Sequence, residues 1–197
     1  PRDQRIMKDL AICIFGLSSA GKTTLGRKAA KVLRDQGVPC ALIDGDEVRE
    51  LFDSKFGHSP EGRKLQSRRI LKLAQWTQKQ HIIPIISMIH PFQSDRDLFK
   101  EELSSYTQIY LSCDVKHCEQ RDSKNVYSLR HKLSKPNVVG LDIPFEPVIN
   151  ADLTIDTSRL DQTSSFQVLK NFLFSLNLSD KPISSTSHQD RSSKVII

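Results

Sequence analysis

The residues with the clearest chemical meaning stand at positions 16–23, Gly-Leu-Ser-Ser-Ala-Gly-Lys-Thr. They match the pattern G-x-x-x-x-G-K-[ST], whose chemistry is the cradling of polyphosphate by inward-pointing backbone N–H groups at a helix N-terminus. Gly16 and Gly21 let the backbone approach the anion, and the N–H groups of Ser18, Ser19 and Ala20 line the turn. Lys22 is expected to reach the β- and γ-phosphates, Thr23 to place its hydroxyl on Mg²⁺, and Thr24 to add a phosphate contact. A second feature is Asp44-Gly45-Asp46, two carboxylates two residues apart. Phosphoryl transfer to a hydroxyl needs one carboxylate near the metal and its waters and another at the accepting hydroxyl. The same three residues also suit a turn followed by an Asp helix cap, and Asp46 can serve both ends.

These groups need a scaffold that brings them together. The apolar run 10–15 stops at Gly16 and reads as a buried parallel strand. A helix follows from Lys22, with Leu25, Ala29, Val32 and Leu33 at helical spacing and Gly37 at the stop position. Residues 40–44 read as a second strand, so Asp44 and Asp46 lie at a strand's carboxyl end, where open α/β sheets bind ligands. Short and long helices are expected over 46–52 and 65–80, and a strand over 82–87, where Pro84 suits only an edge or a strand start. A strand over 108–112, a helix from 114, a short strand over 153–156 and a closing amphipathic helix built on Phe166, Leu169, Leu173 and Leu176 complete the alternation. Between 122 and 147 the periodicity fades and basic residues gather, which reads as a long mobile loop or lid. The expected fold is therefore α/β, a three-layer nucleotide-kinase-like arrangement with a mainly parallel sheet and a lid. One domain over 1–178 and a Ser-rich disordered tail over 179–197 are expected.

Composition narrows the classes. The 197 residues hold 38% hydrophobic and 26% charged side chains, the balance of a globular domain. No run approaches a membrane span, and the first ten residues have no apolar h-region, so neither a membrane partner nor a secretory signal is expected. The four cysteines show no C-x-x-C spacing and read as buried thiols of a reducing compartment, which points to the cytoplasm. The net charge of +6 is compatible with nucleic acid or with small anions. The basic residues cluster around the candidate phosphate site, which favours a small anionic nucleotide over nucleic acid. An Asn-Lys-x-Asp sequence is absent, which argues against a guanine-nucleotide switch.

Several further stretches complete a resemblance. Residues 42–49, Phe-Gly-His-Ser-Pro-Glu-Gly-Arg at 56–63, Arg68-Arg69, Ser-Met-Ile-His-Pro-Phe at 87–92 with Asp95-Arg96, Cys-Glu-Gln-Arg-Asp-Ser-Lys at 118–124 with Tyr127, and Gly-Leu-Asp-Ile-Pro-Phe-Glu at 140–146 accompany the phosphate loop in order. Over roughly residues 8–176 the chain resembles adenylylsulfate (APS) kinase, which transfers the γ-phosphoryl group of ATP to the ribose 3′-hydroxyl of adenylyl sulfate, giving PAPS. The resemblance implies ATP and Mg²⁺ as cofactors, Asp46 nearest the 3′-hydroxyl and Asp44 orienting the metal shell with Thr23. It implies Arg49 and Arg63 on the substrate's phosphate and sulfate, where their planar forks suit tetrahedral oxyanions. Lys124 and Arg121 resemble basic lid residues over the phosphates, and Ile89 resembles a wall of the substrate site. Family members are often dimers, so a homodimer is compatible with the resemblance.

The departures lie on the acceptor side. His58 and Val138 occupy the places of two Phe rings that sandwich the substrate adenine in the family. Gln66 replaces a substrate-binding Asn, His90 a Ser before Pro91, Gly62 an Asp and Asn137 a lid Gly. His58 and His90 suit either a direct substrate contact or a neutral filler. The leading expectation is an ATP-dependent kinase for a nucleotide 3′-hydroxyl, most simply adenylyl sulfate. The alternatives are a kinase for another nucleotide, such as a cytidine diphosphate amidate, and a non-catalytic nucleotide-binding regulatory module.

Overall fold

The computed structural model describes residues 10–178 except 54, 123, 134 and 135, so the expected tail at 179–197 lies outside the described residues. Five strands alternate with helices: β1 (Leu10–Gly16), α1 (Lys22–Asp35), β2 (Cys40–Asp44), α2 (Gly45–Leu51), α3 (Pro60–Lys79), β3 (Ile83–Met88), α4 (Gln93–Glu102), β4 (Ser105–Ser112), α5 (Val115–Arg121), α6 (Val126–Leu133), β5 (Leu153–Asp156) and α7 (Gln162–Ser175). The strands form one sheet in the order β2-β3-β1-β4-β5, and every pairing is parallel. Their carboxyl ends therefore meet along one edge, with β1 and its glycine turn in the middle.

Alternation along β1 builds both sides of the core. Ile12 and Ile14 pack with Leu25, Ala29 and Leu33 of α1 and with Leu169 and Leu173 of α7. Ala11, Cys13 and Phe15 pack on the opposite face with Ile70, Leu71 and Ala74 of α3 and Phe99 of α4. Burial on both faces explains why β1 is a continuous apolar run. Gly26 allows α1 to lie close on the sheet, because a Cβ there would stand 2.3 Å from Ser87 Oγ.

Two expectations are corrected, and of the two places open to Pro84 the structure takes the strand start. Helix α3 begins at Pro60, five residues before the apolar periodicity, because Ser59 caps it by accepting from Gly62 N at 3.1 Å and proline suits the first turn. Pro84 lies near the start of β3, which is an interior strand and not an edge. The stretch 122–147 is not simply a mobile loop, because it contains α6 and buries Tyr127, Val138, Val139 and Ile143 in the core. The run Arg130-His131-Lys132 conceals the short apolar face of α6 from a periodicity count. Asp122 initiates that helix by accepting from Tyr127 N at 3.1 Å and Ser128 N at 2.8 Å. The cysteines are free thiols, three of them buried and Cys40 half-buried.

Tyr127 is 1% exposed and donates its hydroxyl to the carbonyl of Ser18 at 3.3 Å, joining α6 to the glycine turn. Tyr127→Phe should lower stability by about 1 kcal/mol, read as a shifted urea midpoint at unchanged slope. An unshifted midpoint would remove this bond from the forces holding the lid.

Candidate active site

The turn after β1 takes its shape from backbone positions that suit glycine. Gly21 has φ 98°, and a Cβ at Gly16 (φ 154°) would lie 2.5 Å from the carbonyl oxygen of Leu111. The strand end and the start of α1 thus converge on residues 16–23, as polyphosphate binding requires. Lys22 Nζ bridges the turn by donating to Leu17 O at 2.6 Å. Burial pushes its pKa down to about 8, while Asp46 works in the opposite direction.

Asp44, at the end of β2, is 4% exposed and does two jobs. Its Oδ2 accepts from Thr23 Oγ1 at 2.7 Å, and its Oδ1 accepts from Asp46 N at 3.0 Å. The helix cap is therefore Asp44 rather than Asp46, which leaves the Asp46 side chain facing the cleft. Asp46 Oδ2 is ion-paired with Lys124 Nζ from the segment before α6. Burial raises the Asp46 pKa, but the hydrogen bond and charge of Lys124, with Lys22 and Arg49, outweigh it and hold the carboxyl below its usual range. Asp46 is thus an ionised group suited to orienting a hydroxyl.

Two clefts, each of about 310 Å³, open on either side of this junction. They share Ser19, Lys22, Thr23 and Lys124. Thr24 and Arg121 line the one toward α7, where Arg121 donates to the carbonyl of Thr157. The other is bounded by Asp46, Arg49, His58, Arg63, Gln66 and the lid residues Asn137 and Val138. Two ligands placed in these clefts would meet at Lys22, which is the geometry of a group transfer between them.

The second cleft carries an excess of positive charge. Burial, followed by the like charge of Arg49, lowers the Arg63 pKa to about 10. Arg63 Nη2 donates to Asn137 O at 2.8 Å, and its buried Nε has no hydrogen-bond partner among the described residues. Arg49 donates to the carbonyl of Gly57. His58 is held toward its neutral form by burial and then by Arg49 and Arg63. An anion would relieve this repulsion and occupy the free Arg63 N–H.

Ile89 lines the same wall, and Gln66 is 3% exposed beside it. The His90 ring packs 4.5 Å from Phe99 and 6.0 Å from Phe15, at 1% exposure, and its ring nitrogens have no partner among the described residues. Burial, then the charge of Arg96, lowers its pKa to about 3, so the ring is neutral where it lines the cleft. Val138 is buried, with its N–H donated to Asp142 Oδ2 at 3.0 Å. Sequence reasoning missed Thr157, Gln162 and Ser165, which line the cleft toward α7. Their signal was position, since they follow the carboxyl end of β5.

Comparison with known proteins places this geometry. The adenylylsulphate kinase family model matches residues 8–156. The chain belongs to the adenylylsulphate kinase family. An adenylyl-sulfate kinase from Bacillus pumilus is 34% identical over 164 residues, covering 82% of this chain and 83% of the relative. One from Bacillus licheniformis is 36% identical over 152 residues, covering 76% and 77%. The Mycobacterium tuberculosis APS kinase, solved with AMPPNP and APS, superposes with a TM-score of 0.77 at 21% identity over 86% of this chain and 97% of that one, which shows a shared fold. Among the described residues, no helix of this adenylylsulphate kinase family member is long and apolar enough to cross a membrane.

The depressed Lys22 pKa has a measurable consequence. A triphosphate beside Lys22 raises its pKa, so above about pH 8 a largely neutral amine becomes protonated on binding. Calorimetry of ATP binding near pH 9 in buffers of different ionisation enthalpy should show uptake of up to about one proton, and near pH 7 almost none from this group. Buffer-independent heats near pH 9 would contradict the placement of Lys22 on the phosphates.

Proposed function

We propose that the chain transfers the γ-phosphoryl group of ATP to the ribose 3′-hydroxyl of adenylyl sulfate, forming PAPS and ADP. The observation that carries this reading is the pair of clefts meeting at Lys22, with Asp46 beside the junction in one of them. ATP is assigned to the cleft toward α7, its phosphates on the N–H groups of Ser18, Ser19, Ala20 and Gly21 and its base end near Arg121. The acceptor is assigned to the cleft lined by Arg49, Arg63 and Gln66, where the arginines hold its phosphate and sulfate oxygens. Thr24 adds a phosphate contact, and Asn137, Val138 and Ile89 enclose the acceptor.

Mg²⁺ is bound by one or two protein oxygens together with substrate phosphates and water. Thr23 Oγ1 and Asp44 Oδ2, 2.7 Å apart at the cleft junction, fit that donor set. Bound there, the metal would offset charge on the phosphates. Asp46 orients the 3′-hydroxyl and receives its proton as the new P–O bond forms and the bond to the ADP oxygen breaks. Lys22 and Lys124 offset the charge developing on the transferred group. For Lys124 this requires exchanging its ion pair with Asp46 for phosphate oxygens. The free thiols suit a reducing cytoplasm.

Two outcomes test this reading. Asp46→Asn should leave ATP affinity within about two-fold and lower turnover by about 10²- to 10⁴-fold; near-normal turnover would remove Asp46 from the chemistry. Acceptor specificity is read by coupled ADP release with adenylyl sulfate beside nucleotide diphosphates and phosphoramidates. His58→Phe should raise kcat/KM for adenylyl sulfate about ten-fold by restoring one stacking face. Preferential turnover of a cytidine diphosphate amidate, or ADP release independent of any acceptor, would overturn adenylyl sulfate as the substrate.

A further inference from the structure

Arg69 lies on α3 one turn beyond Gln66 and has no place in the chemistry above. Its guanidinium carbon lies over two aromatic rings, 4.4 Å from the centroid of Phe52 and 3.9 Å from that of Phe56. Cation–π contact with two rings restricts where the guanidinium can sit. Phe52 is the C-cap of α2, and Phe56 precedes the Gly57-His58 corner of the acceptor cleft. Close packing of that corner on α3 requires Gly62, where a Cβ would meet the Phe56 carbonyl oxygen at 1.8 Å.

Held there, Arg69 Nη1 donates to Gln66 Oε1 at 3.3 Å. Gln66 Nε2 in turn donates to the carbonyl of Gly45 at 3.2 Å, immediately before Asp46. A carboxamide has one accepting and one donating end, and the partners of the first decide where the second points. With Oε1 engaged by Arg69, the amide nitrogen stays on the side of Gly45, and its second N–H is left for a ligand oxygen. Without Arg69, Oε1 loses its donor and only the bond to the Gly45 carbonyl holds the amide, so its remaining N–H is less well aimed.

We propose that Arg69 is a positioning residue for the acceptor: held against Phe52 and Phe56, it anchors the Oε1 end of Gln66 while the Gly45 carbonyl holds the Nε2 end, so that the remaining amide N–H faces the acceptor's anionic group. This rests on the assignment of the acceptor to the Arg49–Arg63 cleft. The clamp ties acceptor recognition to a surface feature of α2 and α3 that touches neither substrate.

Steady-state kinetics with ATP and adenylyl sulfate on the full chain provide the test. Arg69→Ala should raise KM for the acceptor about ten-fold, with KM for ATP and kcat within about two-fold, as expected for one lost or misaligned hydrogen bond to a charged group. Gln66→Leu should raise the same KM by a similar factor. The double variant should be no worse than Gln66→Leu alone, because Arg69 then has nothing left to orient. Arg69→Lys, which keeps a donor but loses the flat face, should lie between wild type and Arg69→Ala. If Arg69→Ala fails to fold, Phe56→Leu, which removes one face of the clamp, should give the intermediate rise. Factors that multiply in the double variant, an unchanged acceptor KM, or an equal loss in ATP KM and kcat would each overturn the proposal. If wild type shows no adenylyl-sulfate-dependent ADP release, the functional reading fails by itself. The same variants, with the phosphate loop filled by a non-hydrolysable ATP analogue, would then be titrated with inorganic pyrophosphate. Coupled losses of affinity would sustain the Arg69–Gln66 link, and independent losses would overturn it.

Discussion

Like charge held in a half-dry cleft is the constraint on which the site depends. Lys22, Arg49 and Arg63 all have pKa values lowered by burial, and Arg49 and Arg63 also repel each other. Asp44 and Asp46 oppose this charge from within, while Asp44 is engaged by the Thr23 hydroxyl and the Asp46 backbone N–H. A folded chain that keeps such a cluster gains most when anions enter. On the proposed assignment of two polyanions to the clefts, their common boundary at Lys22 is where this binding energy would be available to a transferring phosphoryl group.

The lid is fastened to the site by polar links as well as by packing. Tyr127 donates to the Ser18 carbonyl beneath the glycine turn, Arg63 donates to the Asn137 carbonyl across the acceptor cleft, and Lys124 pairs with Asp46. Asp142 braces the far side by accepting from Val138 N and pairing with Arg130. The first of these links is buried and independent of ligands, whereas the latter two use groups that substrates would claim. On the proposed reading, ligand entry would exchange these polar links without unfolding the segment, as exclusion of water during transfer requires.

Much of this architecture was legible along the chain. The phosphate loop declared itself because its glycines, lysine and threonine lie at fixed spacing between an apolar run and an amphipathic helix. The strand 40–44 was readable in the same local way, and the structure reproduces it as Cys40–Asp44. Helix α4 went unread, since its buried positions include Asp95 and Arg96, which no hydrophobic period reveals. Helix α6 was hidden by its run of basic residues, although Tyr127 is among the most buried side chains. Arg68-Arg69 was visible as a pair, but the rings of Phe52 and Phe56 give Arg69 its meaning only after α2 and α3 have packed.

The sequence by itself determined the chemistry that is local: the anion-binding turn, the carboxylate pair at a strand end, and the family to which those motifs belong. These follow from residue type and short spacing, which backbone geometry translates directly into structure. Tertiary structure decided which side chains share a cleft. It made Asp44 the cap and left Asp46 facing the cleft, turned the His90 ring into the Phe15–Phe99 layer, and set Arg69 behind Gln66. These outcomes depend on contacts across tens of residues, where packing, desolvation and neighbouring charge choose among roles that residue type alone leaves open.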